Sequence, residues 1–229
     1  MVIHERTKAD FNAAAMKLCI GDYKGALADY DKIIEANPKL AEAYVNRAIA
    51  REMAGYIDGA ISDCGRAIEL NPKDAGAYAA RALLYGLAGK LKDAIADSDI
   101  AIELEPKRGK TYVDRAIIKS QLGDCKGAIL DCDRAIELGS GDARAYNSRA
   151  FAKYNLGDYK GVISDLDKTI ELNPQNAMAH NYRGNAKCWL SDYEGAITDW
   201  AIAIRINPDL KGELQTRIDE LKRNIKNRN

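Results

Sequence analysis

The same 34-residue pattern fits this chain six times in succession without a gap. One copy, AEAYVNRAIAREMAGYIDGAISDCGRAIELNPKD, runs from Ala41 to Asp74. Repeats of about 20 to 50 residues are typical of proteins that stack one small structural unit on the next. The predicted organisation is an N-terminal extension at 1–6, repeat units at 7–40, 41–74, 75–108, 109–142, 143–176 and 177–210, and a C-terminal helix at 211–229.

Within the unit, small and apolar residues recur three, four, seven or eight positions apart, which is the periodicity of an α-helix. The eighth residue is Ala in five units and Gly184 in the sixth, and the twenty-eighth is Ile in all six. A glycine near the middle of the unit suits the left-handed residue that closes a first helix. These glycines are Gly21, Gly55, Gly89, Gly123 and Gly157. In the sixth unit Ser191 stands there, and it must adopt that backbone or change the turn.

Aspartate and proline mark the two ends of the second helix. We expect an N-cap aspartate in four units, at Asp22, Asp124, Asp158 and Asp192. Proline follows the second helix because it cannot continue the helical hydrogen bonding, and it stands at Pro38, Pro72, Pro106, Pro174 and Pro208. Gly139-Ser140-Gly141 replaces that proline between the fourth and fifth units, so this joint is predicted to be the most flexible.

This combination of period, small residues, central glycine and terminal proline resembles the tetratricopeptide repeat. The resemblance covers nearly the whole chain, although tyrosine replaces the frequent tryptophan of position four at Tyr44, Tyr78, Tyr112 and Tyr146. It implies an all-α, right-handed α-solenoid of six two-helix repeats with a C-terminal capping helix. Leu214, Ile218, Leu221 and Ile225 fall on one face of that helix, as a cap requires.

Composition and motifs argue against several classes of function. Lysine plus arginine equals aspartate plus glutamate at 34 each, so no nucleic-acid partner is expected. Five cysteines without a Cys-x-x-Cys motif, and only His4 and His180, predict no metal and no cofactor. No catalytic motif stands out, so the chain is not expected to be an enzyme.

The chain offers neither the apolar run of a signal peptide nor a stretch long enough to span a membrane. We therefore expect a cytoplasmic location and no membrane partner, although a trimmed sequence could lack an export signal. An odd number of cysteines without a disulfide framework fits the same reducing compartment.

Position twenty-three is aspartate in every unit, and position seven is arginine in units two to six. An anion-binding ladder of arginines is one interpretation, and a structural ion pair is the favoured one. A pair within one unit would leave Asp29 alone, because position seven of the first unit is Ala13. The sequence therefore predicts that each aspartate pairs with the arginine 18 residues later, ending with Asp199 and Arg217.

The resemblance implies a binding module whose first helices line a concave groove for a peptide or helix of a partner. Related repeats hold the acidic C-termini of heat-shock chaperones with Lys, Asn and Arg residues at five fixed positions. The residues at those positions here are Phe11, Ala15, Asn46, Gly76 and Ala80. Only Asn46 matches, so a clamp of that kind is not expected.

Apolar residues occupy groove positions that would be polar if they were merely solvated. They indicate either partial burial between neighbouring first helices or a ligand surface, and the two interpretations are compatible. Asn147, Asn181 and Asn185 lie beside aromatic residues and are predicted to hydrogen-bond a partner's backbone. The predicted partner-binding residues are Val45, Asn46, Ile49, Met53, Leu83, Leu87, Val113, Ile117, Asn147, Phe151, Tyr154, Asn181, Tyr182, Asn185 and Trp189.

The sequence thus predicts a non-enzymatic scaffold that binds another protein in its concave groove. The alternative is a self-assembling structural subunit that forms homo-oligomers through the groove or an end of the solenoid.

Overall fold

The computed structural model describes residues 2–227, with the backbone alone for residues 2–8. The described residues form thirteen α-helices and one short 3-10 helix, Pro208–Leu210, with no strand among them. The helices are α1 Val2–Cys19, α2 Tyr23–Ala36, α3 Ala41–Met53, α4 Ile57–Leu70, α5 Ala75–Leu87, α6 Leu91–Leu104, α7 Gly109–Gln121, α8 Cys125–Glu137, α9 Ala143–Asn155, α10 Tyr159–Leu172, α11 Ala177–Trp189, α12 Tyr193–Ile206 and α13 Lys211–Lys226. Met1 of the predicted extension and residues 228–229 of the predicted C-terminal helix lie outside the described residues.

The chain divides into two compact units, each larger than one repeat, and the boundary falls within α7. We call Met1–Asp114 the first unit and Arg115–Asn229 the second unit, and the 34-residue copies are called repeats. In the first unit each helix from α1 to α5 packs against the helix that follows it in the chain. In the second unit α8 to α13 also pack in chain order. Short turns join the helices, so each unit consists of consecutive helix pairs and the all-α prediction is confirmed.

The predicted turn residues adopt the expected backbone. Gly55 and its four equivalents have positive φ values between 72° and 84°, where only glycine is free of strain. Ser191 has φ 64°, so the sixth repeat keeps the turn and accepts a left-handed non-glycine residue. The predicted N-caps are also confirmed, since Asp158 accepts from the Gly161 N–H at 2.9 Å and Asp22, Asp124 and Asp192 do likewise.

Small residues at positions eight and twenty are buried where the two helices of a repeat meet, for example Ala48 and Ala60. The last repeat departs from this packing because Trp200 occupies position twenty-four. A Cβ atom on Gly184 would lie 2.7 Å from Trp200 Nε1, so the indole requires glycine at position eight. Leu214 and Ile218 of α13 are buried in the same cluster, which gives the last repeat its apolar cover.

Ion pairs join the two helices of each repeat in a register that differs from the predicted one. Arg47 donates through Nη2 and Nε to Asp63, at 2.6 and 2.9 Å. The same two-bond pair occurs as Arg81–Asp97, Arg115–Asp131, Arg149–Asp165 and Arg183–Asp199. The prediction that each aspartate pairs 18 residues onward is therefore wrong, and Arg217 pairs with Glu213 instead of Asp199.

The observed register follows from the shape of a helix hairpin. Arg47 and Asp63 stand eight residues before and eight after Gly55, so two antiparallel helices bring them level. Asp29 is not left alone, because Lys17 donates to it at 2.5 Å and lowers its pKa.

Links between repeats do exist, and they use position twenty-five instead of twenty-three. Asp31 accepts from Arg47 Nη1 at 2.7 Å. Asp133 with Arg149 and Asp167 with Arg183 repeat this contact in the second unit. Each of these arginines therefore binds one aspartate of its own repeat and one of the repeat before it.

Candidate functional site

Five of the predicted groove residues in the second unit line an open cavity of about 350 Å³, namely Ile117, Asn147, Phe151, Tyr154 and Tyr182. Helices α7, α9 and α11 supply most of its walls, and α10 supplies part of its floor. The lining residues are Ile117, Ser120, Gln121, Asn147, Ser148, Ala150, Phe151, Tyr154, Val162, Leu166 and Tyr182. We call this space the apolar cavity.

The floor of the apolar cavity is part of the buried core. Ala150, Val162 and Leu166 belong to one cluster in which each side chain is almost fully buried. Phe151 is 43% exposed at the wall, and Tyr182 meets it edge to face with ring centroids 6.5 Å apart. The cavity therefore connects the core to the groove surface through aromatic walls.

The lining of the apolar cavity carries no Asp, Glu, Lys, Arg or His among the residues that the structure describes. Its polar groups are hydroxyls and amides, which can exchange hydrogen bonds without a charge on the ligand. A charged ligand group placed there would lose its hydration without gaining an opposite charge, which is costly. The chemistry of the site thus favours an uncharged occupant.

An aromatic cluster continues the groove surface beyond this cavity. Trp189 stacks on Tyr159 with ring centroids 5.5 Å apart and an interplanar angle of 2°. Its indole N–H also donates to the Tyr154 hydroxyl at 3.1 Å. Trp189 is nevertheless 64% exposed, so these contacts hold its ring in place at the surface.

A second cavity of about 470 Å³ lies among α11, α12 and α13 and shares Tyr154 with the apolar cavity. Unlike the first, it includes the charged side chains of Arg217 and Glu220. Cys188 also lines it, and burial raises the pKa of that thiol, with Arg217 acting in the opposite direction. The neutral thiol is a poor nucleophile, which gives no support for chemistry at this cysteine.

The three asparagines predicted to contact a partner lie in different environments. Asn147 lines the apolar cavity and is only partly buried. Asn181 is 8% exposed and therefore presents little surface to a ligand. The Asn185 amide oxygen accepts from Trp200 Nε1 at 3.1 Å and from Arg217 Nη1 at 3.0 Å, so only its amide N–H groups remain for a partner.

The predicted residues of the first unit lie on α3, α5 and the start of α7. Ile49, Met53, Leu83 and Leu87 are exposed, and Val45 packs beside the buried cluster that includes Tyr30 and Tyr44. The Asn46 amide donates to the Glu42 carbonyl of its own helix at 2.9 Å. Val113 is 2% exposed, so it is a core residue and not an accessible one.

The sequence prediction missed the polar part of the apolar cavity. The missed residues are Ser120, Gln121 and Ser148. They occupy positions twelve, thirteen and six of their repeats. All three lie on the first helix of their repeat, so their positions in the repeat are the signal that could have found them.

None of the helices within residues 2–227 is long and apolar enough to cross a bilayer. The same residues contain no cluster of three or more His, Cys, Asp or Glu side chains arranged to hold a metal ion.

Comparison with known proteins agrees with the repeat architecture. Two segments match family models described as tetratricopeptide repeat, at residues 64–96 and 143–176. No curated protein sequence matches the chain closely enough to count as a relative.

Several solved structures share the fold. YrrB, described as a TPR protein with an unusual peptide-binding site, is 24% identical with a TM-score of 0.65, over 82% of this chain and 97% of YrrB. A tetratricopeptide repeat protein from Parabacteroides merdae is 17% identical with a TM-score of 0.72, over 95% of this chain and 89% of that one.

A chain of the Cut9-Hcn1 hetero-tetramer of APC/C is 18% identical with a TM-score of 0.81, over 93% of this chain but 42% of that one. At these identities the likeness concerns the fold alone, an α-solenoid of helical repeats. Together with the repeated helix pairs, the two matched segments identify tetratricopeptide repeats within this chain.

Proposed function

We propose that this chain is a non-enzymatic protein-interaction scaffold, and that its second unit binds an extended or helical segment of a partner protein. The fold supports the general role, because tetratricopeptide repeats serve as scaffolds for protein–protein interaction. The apolar cavity carries the specific proposal, since first helices of the second unit supply most of its walls and the aromatic side chain of Phe151 is exposed at its wall.

The energetics of the surface support this assignment. Phe151 and Trp189 expose large apolar area, and burying it against a partner would contribute about 25 cal/mol for each Å² removed from water. Aromatic side chains that ring a pocket are also typical anchors of protein interfaces. Stacking and a hydrogen bond already hold the Trp189 side chain in place, so binding a partner would cost less side-chain conformational entropy.

The polar contacts are expected to come chiefly from Asn147, Ser148 and Gln121 at the apolar cavity. An amide offers both donors and an acceptor, so these side chains suit the backbone of a bound segment. Asn181 and Asn185 have a smaller part in this proposal than the sequence suggested, because one is buried and the other holds Trp200 and Arg217.

We further propose a cytoplasmic setting, because all five cysteines are free and a reducing compartment preserves free thiols.

The test is selection of peptides on the full chain. Random dodecapeptides displayed on phage would be panned on the immobilised protein, and the Kd of each selected peptide measured by calorimetry. Phe151→Asp should weaken binding by about tenfold or more, because it places a charge at the wall of the apolar cavity. Leu130→Asp is the matched control, since Leu130 is 69% exposed on α8 and belongs to neither cavity among the described residues.

Failure to select any peptide, or equal loss in both variants, would contradict the proposal. Self-assembly is the competing function, and sedimentation of the unmodified chain over a range of concentrations decides it. A mass that rises with concentration and falls back to the monomer in Phe151→Asp would assign the aromatic surface to a second copy of the chain.

A further inference from the structure

Repeats five and six differ at three equivalent positions. These residues determine whether the side chain at position twenty-four fills the space next to positions eight and nine. Positions eight, nine and twenty-four are Ala150, Phe151 and Leu166 in the fifth repeat. In the sixth repeat they are Gly184, Asn185 and Trp200. These positions are equivalent in the two helix hairpins, so the volumes of the side chains that occupy them can be compared directly.

In the sixth repeat the indole of Trp200 fills the space over position eight. Its Nε1 lies so close to Gly184 that a Cβ atom there would be only 2.7 Å away. The same nitrogen donates to the Asn185 amide oxygen at position nine, and Trp200 is almost fully buried. In this repeat the protein therefore places its own indole, from position twenty-four, against positions eight and nine.

In the fifth repeat the equivalent positions line the apolar cavity. Leu166 is much shorter than tryptophan and ends in the floor, and Ala150 and Phe151 form the adjoining surface. The uncharged lining excludes an ammonium, guanidinium or carboxylate group on grounds of desolvation. A volume of about 350 Å³ is enough for a large side chain and part of its backbone.

We infer that the apolar cavity recognises one bulky, uncharged side chain of the partner segment, of the tryptophan, phenylalanine or leucine class, which occupies the place that Trp200 fills in the next repeat. This inference rests on the proposed function, since it names what the partner inserts at that same site. Asn147, Ser148 and Gln121 at the cavity then meet the backbone on either side of the inserted residue.

The first experiment leaves the protein unmodified and scans the selected dodecapeptides. Each position of a peptide is replaced in turn by Ala, Lys, Glu and Leu, and the Kd is measured. One position should lose about tenfold or more with Ala, Lys and Glu, and should retain affinity when Leu replaces an aromatic residue. Peptides that bind and are sensitive to Phe151→Asp, yet have no such position, would overturn the inference while leaving the proposed function in place.

The second experiment fills the cavity from inside. The double variant Ala150→Gly/Leu166→Trp copies the pair Gly184 and Trp200 into the fifth repeat, and it should reduce peptide affinity by about tenfold or more while the protein remains helical. Ala150→Gly alone supplies the baseline against which the effect of the added indole is measured. Leu130→Trp controls for the added indole.

A folded double variant with parental affinity would overturn the inference. If the double variant does not fold, the peptide scan decides the matter without it. If no peptide is selected at all, the proposed function fails as well, so the two failures can be told apart.

Discussion

Arg183 holds both carboxylate oxygens of Asp199, with Nη2 2.5 Å from Oδ1 and Nε 2.9 Å from Oδ2. Lys187 adds a third contact at 2.8 Å, and the Asp199 side chain is 1% exposed. Arg183 also reaches Asp167 of the preceding repeat at 2.6 Å, but that carboxylate is 56% exposed. One arginine thus holds a buried partner and a solvated one.

Replacing the two aspartates should have unequal effects on the free energy of unfolding. Asp199→Ala leaves Arg183 and Lys187 without their buried partner and should cost about 3 kcal/mol. Asp167→Ala removes a solvated pair and should cost about 1 kcal/mol or less. Urea denaturation followed by circular dichroism measures both, and equal losses would show that burial does not set the strength of these pairs.

Acid should weaken the same pair. Burial favours the neutral acid and would raise the pKa of Asp199, but hydrogen bonds from Arg183 and Lys187 outweigh burial and hold that pKa below its usual value. A carboxylate with a lowered folded-state pKa stabilises the fold above its unfolded pKa of about 3.9, and this contribution is lost as the pH falls through the folded value. Melting temperatures measured from neutral pH downward should therefore fall less steeply in Asp199→Asn than in the parent.

The second repeat has no aspartate at position twenty-five to pair with the arginine of the third repeat, and a substitution there can supply one. Position twenty-five is Gly65 in the second repeat, and a Cβ atom there would lie 3.7 Å from Arg81 Nη1, in ordinary contact. Gly65→Ala should stabilise α4 by about 0.5–1 kcal/mol, because glycine is costly inside a helix.

Gly65→Asp also gives Arg81 the carboxylate that Asp31 gives Arg47. Gly65→Asn is the control of similar shape, and the aspartate variant should exceed it by about 0.5 kcal/mol at low salt. That difference should shrink as salt is added. A difference that does not depend on salt would contradict an ion pair.

Gly184 and Trp200 should be coupled in a double-mutant cycle. Gly184→Ala alone should destabilise the last repeat by about 1–3 kcal/mol, because its Cβ would overlap the indole. In a Trp200→Leu background the same change should cost much less or become favourable, since alanine is the residue that the other repeats place at position eight. Additive effects would mean that the indole moves freely out of the way.

The joint at Gly139–Gly141 remains the predicted site of first cleavage. Gly139 closes α8 with φ 76°, and hydrogen bonds from its N–H to Ile136 and from the Ser140 N–H to Ala135 order the turn. The joint still lacks the proline that restricts the other inter-repeat turns, so a nonspecific protease should cut there before it cuts elsewhere. Gly141→Ala should slow that cut, because alanine restricts the backbone and its Cβ would be in ordinary contact with Tyr146 at 3.5 Å. Mass spectrometry of the fragments identifies the first site, and a first cut at a proline-containing joint would refute the prediction.

The repeat sequence by itself determined the local structure. The central glycine and the cap aspartate act within one or two turns of helix. Gly157 and Asp158 were therefore enough to predict a left-handed turn followed by a capped helix. The small residues at positions eight and twenty have the spacing of a helix, and in the structure they are buried where two helices meet, because close approach there excludes large side chains. Even Ser191 was recognised as an exception from its position alone.

The tertiary structure decided which of several equally spaced partners each polar side chain binds. Asp199 was matched in sequence to Arg217, but the hairpin places it beside Arg183, and hydrogen bonds act only over the last few ångströms. Asn185 was predicted to serve a partner, and instead Trp200 and Arg217 converge on its amide oxygen from two other helices. The apolar cavity depends in the same way on Leu166 being shorter than Trp200 where the helices pack. A regular sequence repeat fixes direction and spacing along each helix, whereas contacts between helices depend on volumes and distances that only the packed structure supplies.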